Sequence, residues 1–160
     1  MTPSGSFKDH IRQIEDLEGH LRRTKWVILK ALGVKLTERM KARIGHRDMM
    51  GSTHFFPWAE WSPWTKDKHD TLDNAGIENG YLLVSGEMRD SLEYVASGDE
   101  LVVGSNSDVM LWQELGTEKI PPRSVLGAVF ERNLEWIKRS IARAYFAAWR
   151  GASVEREIND

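Results

Sequence analysis

Apolar residues recur at helical spacing from Lys8 to His46: Ile11, Ile14, Leu17 and Leu21, then Ile28, Leu32, Leu36, Met40 and Ile44. Arg12, Glu15, Arg22, Arg39 and Arg43 occupy the other face, so the pattern predicts an amphipathic helix or a pair of them. Gly33 and the Arg23-Thr24 step are the points at which it is expected to kink or divide. Ser6 is placed to cap it, with Asp9 in the first turn to complement the helix dipole. A second stripe, Val125, Val129, Leu134, Ile137, Ile141, Tyr145 and Trp149, predicts a last helix over 124–150, roughly 40 Å long at the usual rise. Gly151 is its expected stop, and the polar residues 151–160 are expected to fray.

Between these helices the period changes. Leu92 to Ala96 and Glu100 to Gly104 are short β-branched runs separated by Ser97-Gly98-Asp99, a hairpin signal. Ahead of them, Gly86 begins a short amphipathic turn in which Met88 and Leu92 face inward. Beyond them, Asp108 to Leu115 carries Val109, Met110, Trp112 and Leu115 at spacings a short helix can use, and Gly116 would end it in a left-handed conformation. Pro121-Pro122 removes two backbone donors in succession and biases Ile120 towards an extended conformation, so the chain turns a rigid corner before Arg123. The span 49–80, with Pro57, Pro63, Gly76 and Gly80 and tryptophans at 58, 61 and 64, reads as a long loop. Its tryptophans, three residues apart, could equally line one face of a short helical turn.

The fold class that follows is α+β: a small antiparallel or mixed sheet of three or four short strands, flanked by long N-terminal and C-terminal helices. The chain is expected to be a single domain, 1–160. It divides into a helical arm (1–48), a Trp/Pro-rich loop (49–80), a small sheet with a short helix (81–123), the C-terminal helix (124–150) and a flexible tail (151–160).

At 160 residues the chain can build one proper core and not two comfortable ones. A formal charge of −2 gives no global attraction to nucleic acid or anionic membrane. Locally the helical arm is basic, from Lys8 through Arg22, Arg23, Lys25, Lys30, Lys35, Arg39, Lys41, Arg43 and Arg47, which is either a phosphate-binding face or a solvated helix surface. No cysteine is present, which excludes thiolate chemistry and fits a reducing compartment. Residues 1–7 lack the apolar core of a secretory signal, and no apolar run has the length of about 20 residues that a membrane span needs. Seven tryptophans point to a heavy aromatic core or to faces meant for other proteins.

Catalytic and metal constellations are not found. The five histidines include no pair at His-x-x-x-His spacing. Acidic neighbours such as Glu15-Asp16 and Asp99-Glu100 point different ways and make no acid/base pair. Gly104-Ser105-Asn106-Ser107 lacks the flanking glycines of a nucleophile elbow, and no Gly-rich phosphate loop is followed by a lysine. The expectation is a protein that is not an enzyme, with no cofactor and no metal.

Three segments carry a resemblance. The first holds Trp61, Pro63, Thr65 and Lys68. The second holds Leu83, Val84, Gly86, Met88 and Ser91, and the third Gly104, Ser105, Asn106, Gln113, Gly116, Ile120, Pro121 and Arg123. Their order resembles the virion-morphogenesis or tail-completion family of tailed bacteriophages, over about Gly33 to Gly127. The chain departs from that family at Trp112, where a histidine is frequent, at Leu115, where an aromatic is common, and at Met88, which replaces a leucine.

The resemblance implies a structural protein of the head-to-tail junction, acting in the virion neck and assembled in the bacterial cytoplasm. Such proteins work as rings, commonly sixfold, between the connector and the tail tube. The implied partners are copies of itself and other neck, connector or tail-tube proteins, with genome DNA passing without specific binding and no membrane involved. Trp58, Trp61, Trp64, Trp112, Gln113, Pro121, Pro122 and Arg123 are the candidate subunit or partner contacts. Glu87, Asp90, Glu93, Asp99, Glu100, Asp108, Glu114 and Glu118 suit a lining that does not grip phosphate. The alternative is a small nucleic-acid-binding module that uses the basic arm. A hydrolase would require a site the sequence does not display.

Overall fold

The computed structural model describes residues 7–47, 50–74 and 80–159. The expected Ser6 cap and Gly76 lie outside those residues, as does the side chain of Leu17. The first helix, α1, runs Phe7–Lys41 without a break at Thr24 or Gly33. Gly33 is instead a point of close approach, because a Cβ there would lie 2.3 Å from the Tyr94 ring. The glycine expected to divide the helix lets the sheet pack flat on it.

Only the second half of α1 enters the core. Thr24, Ile28, Leu32, Leu36 and Met40 are buried at four-residue steps, the spacing that keeps one helical face on its neighbours. The strands β1 (Leu92–Ser97) and β2 (Glu100–Ser105) form an antiparallel hairpin in which Ser97 faces Glu100 and Leu92 faces Ser105. Gly98 opens the two-residue turn at φ 56°, where a side chain would be strained. The fold is α+β as expected, but among the described residues the sheet has two strands, not three or four. Tyr81 and Leu83 contribute isolated bridges to Gly45 and Gly80 and no strand.

Two further differences follow from tertiary packing. The 49–80 loop contains a helix, α2 (Pro63–Asn74), begun by Ser62, whose Oγ accepts the Thr65 N–H at 3.2 Å. Proline at the first helical position is compatible with this, since its missing N–H would have no helical partner there. The expected frayed tail contains α6 (Val154–Asn159). Its Ile158 is buried with Ile28, Leu32 and Ala144 in one of two core clusters.

The remaining helices are α3 (Glu87–Asp90), α4 (Asp108–Leu115) and α5 (Leu126–Trp149). Gly116 ends α4 at φ 75°, ψ 174°, a region other than the expected left-handed one and open essentially to glycine alone. Helix α5 buries Ala128, Ser140, Ala144, Ala147 and Ala148, small residues that let α1 and α6 come close, while Trp149 at the end of the expected stripe is exposed.

The start of α5 is held by a carboxylate from α4. Glu114 accepts the Val125 N–H at 2.8 Å, the Leu126 N–H at 3.0 Å, the Gly127 N–H at 2.8 Å and the Ser124 hydroxyl at 2.6 Å. Three amides that the helix leaves without partners are satisfied, and the negative charge sits at the positive end of the helix dipole. Glu114 therefore points into the fold and is unavailable as lumen lining. We expect Glu114→Ala to cost about 1.5–3 kcal/mol, the range for hydrogen bonds to a charged group, measured by urea unfolding. An unchanged midpoint would mean that the cap is dispensable.

A second carboxylate pins the chain ahead of Trp58 to α5. Glu131 accepts the Ser52 hydroxyl at 2.5 Å and the His54 amide at 3.2 Å, and pairs with His54 Nδ1 at 2.6 Å. The Ser52 hydrogen bond, followed by those from His54, holds the Glu131 carboxyl below its ordinary value. A depressed carboxyl stabilises above its unfolded pKa of about 4.3 and loses that contribution as pH falls through the folded value. Exchange of the His54 amide, corrected for its intrinsic rate, should therefore quicken below about pH 4. Glu131→Gln keeps an acceptor oxygen but cannot titrate, so its exchange should be insensitive to pH over that window, and identical profiles in the two proteins would contradict the assignment.

Candidate functional site

A cleft of about 450 Å³ opens between α2, the turn before α3, and the segment from α4 to the proline corner. Trp61, Trp64 and Thr65 contribute one wall, Val84, Gly86 and Met88 another, and Gln113, Ile120 and Arg123 the third. Each of the three sequence segments noted above thus supplies part of one concavity, although they are separated along the chain.

The tryptophans, equally spaced in sequence, meet three different environments. Trp58 is 1% exposed, and its indole N–H donates to the Ser124 carbonyl at 3.1 Å. It is a core residue at the foot of α5, so its assignment as a partner contact is corrected. Trp61 is half-buried and stacks on His69 (4.0 Å between centroids) and Tyr81 (4.3 Å), which stiffens the cleft wall. Trp64 is 71% exposed, with the Lys68 ammonium above its ring.

The corner positions Arg123. Its N–H donates to the Gln113 carbonyl at 2.6 Å, closing the loop after α4, and the Thr117 N–H donates to the Ile120 carbonyl at 2.8 Å within that loop. Its guanidinium reaches the Glu60 carbonyl at 3.5 Å. Burial pushes that guanidinium below its ordinary value, with the Tyr81 hydroxyl opposing the shift. Arg123 Nε and Gln113 Oε1 are buried in the cleft wall without a hydrogen-bond partner among the described residues. Unpaired buried polar atoms are costly, and these are one donor and one acceptor, both beneath the surface of the cleft wall.

Trp112 is 48% exposed and lies outside the cleft, on a face of α4 with exposed Val109, Leu111 and Leu115. Val109 also borders the cleft, so the two apolar surfaces are continuous. Pro121 and Pro122 are exposed and shape the corner. Sequence reasoning missed His69 and Tyr81. Aromatic residues flanking a tryptophan-rich segment were the available signal.

The basic arm is largely occupied within the fold. Lys25 pairs with Asp99, Lys35 with Glu38 and Arg47 with Glu60, while Arg39 lies over the Trp136 ring and hydrogen-bonds Asn133. Arg39, Arg43 and Arg132 border one open recess of about 340 Å³. No group of three or more histidine, aspartate or glutamate side chains among the described residues is arranged to hold a metal ion. Among the same residues no helix is long and apolar enough to cross a membrane. Comparison with family models, curated proteins and solved structures gave no match.

Trp58→Ala should cost about 3–5 kcal/mol, as for other large aromatic truncations in a core. Trp64→Ser should stay within about 0.5 kcal/mol of the parent, as for surface changes. Urea unfolding of both variants checks the two together. A severe loss at Trp64 would make it a structural residue and remove it from the site.

Proposed function

We propose that this chain is a structural subunit of the head-to-tail junction of a tailed-phage particle. It assembles as a ring between connector and tail tube and lets the genome pass. The observation that carries this reading is the convergence of the three family-like segments on one aromatic cleft. That cleft ends in a fixed arginine and continues onto the apolar face of α4. A neighbouring subunit or neck protein would insert a peptide segment there, its apolar side chains against Trp61, Trp64 and Met88 and its backbone on Arg123 and Gln113. Where such a head-to-tail contact closes on itself, the product is a ring and not a filament.

Trp64→Ser and Arg123→Ala test the reading in particles. Trp64→Ser should fold normally and yet leave filled heads and tails unjoined. Arg123→Ala should do the same with a modest stability loss of about 1–3 kcal/mol. Normal joining by both variants would contradict the reading.

The alternative, a nucleic-acid-binding module, has its best support in the recess bordered by Arg39, Arg43 and Arg132. Against it stand the ion pairs that occupy much of the arm. A ring that passes a genome should bind duplex DNA no better than the nonspecific range, roughly 10⁻⁴–10⁻⁶ M at physiological salt. Fluorescence anisotropy across a salt series measures this. A nanomolar constant with a steep salt slope would favour the module.

A further inference from the structure

Helix α1 is 35 residues long, and its first buried residue among those described is Thr24. Before that point Phe7 (78% exposed), Ile14 (66%), Ile11 and Leu21 all show apolar surface to solvent. Most helical stability in proteins comes from packing an amphipathic face, and the glycine at position 19 weakens this segment further, so the uncovered apolar stripe calls for a cover. At its base Leu21 joins Ala142, Tyr145, Phe146 and Trp149 in an apolar groove of about 350 Å³. Phe146 and Trp149 at that groove are themselves 61% and 83% exposed.

We infer that a second copy of this chain covers the arm, the two α1 helices running antiparallel with Phe7 of each seated in the groove of the other. In the sequence the apolar positions are 7, 11, 14, 17 and 21. The steps of four, three, three and four read the same in either direction. An antiparallel copy centred on Ile14 therefore sets position 14 against 14, 11 against 17, and 7 against 21. The match of Phe7 to Leu21 is what brings the aromatic ring to the groove. Such a contact is isologous and closes at two copies. It therefore does not generate a ring and is independent of the cleft proposed above.

Area and charge agree with that occupant. With aromatic side chains contributing about 150–250 Å² each, the six exposed apolar residues of arm and groove offer on the order of 700 Å² per copy. A standard stable interface takes about 800 Å² per partner. Over 7–23 the arm carries Lys8, Arg12, Arg22 and Arg23 against Asp9, Glu15, Asp16 and Glu18, so two arms meet without net repulsion. The four acidic residues also oppose adsorption to an anionic lipid surface, which selects amphipathic helices with a basic polar face.

The full-length chain should sediment as a dimer at micromolar concentration. Ile14→Glu, which brings two like charges together at the centre, should raise the dimer dissociation constant by ~100-fold or more with unchanged thermal unfolding of the α1–α5 body. Because the chain has no cysteine, Ile14→Cys should oxidise to a disulfide-linked dimer on a non-reducing gel. Arg12→Cys, which lies on the far side of the helix from Ile14, should do so far more slowly. A parent protein that is monomeric over the whole concentration range would overturn the inference. So would equal cross-linking of the two cysteine variants, or binding of the arm to phosphatidylserine vesicles in place of self-association.

Discussion

The hydrogen bonds from the start of α5 to the Glu114 carboxylate are the constraint on which the rest of this structure depends. They fix the end of α4 to the beginning of the longest core helix after α1, and the chain between must close as a tight corner. Gly116 makes that corner possible, Pro121-Pro122 stiffens it, and the amide of Arg123 closes it on Gln113. Trp58, bonded to the Ser124 carbonyl beside the same helix start, brings in the segment that carries Trp61 and the start of α2 with Trp64. The Glu114 carboxylate and the Trp58 indole, both bonded at the start of α5, thus set the relative position of two of the three cleft walls.

Local signals were legible wherever the local chemistry was decisive. The hairpin over Leu92–Ser105 and the short helix Asp108–Leu115 with its glycine stop could be read because turns and stops demand particular residues at particular places. The long helices were legible from their stripes. Helix α6 was not, because six mostly polar residues become helical only when Ile158 finds Ile28 and Leu32, a contact no local pattern encodes. Helix α2 carried a usable signal in Ser62-Pro63, obscured by the loop-like composition around it. Gly33 was misread for a related reason: its role is set by Tyr94, distant in sequence, and not by helix propensity.

The candidate site divides along the same line. Trp58, Trp61 and Trp64 are alike in type and spacing, so nothing local separates a core tryptophan from a stacked one or an exposed one. Their fates depend on Ser124, His69 and Tyr81, and on the solvent. Arg123 was legible as a held side chain because the prolines before it fix its backbone. What holds it, the Gln113 carbonyl and the Glu60 carbonyl, was not. The meeting of the three family-like segments in one concavity is a property of the fold alone, and it gives residues that are individually weak markers a common physical role.

The claim that this cleft serves assembly at the neck of a phage particle is tested most directly by electron microscopy of purified particles in which this chain carries a label. The account predicts label confined to the junction of head and tail, arranged as a ring on the particle axis. Label spread over the capsid shell or along the tail, or particles without this chain, would contradict it.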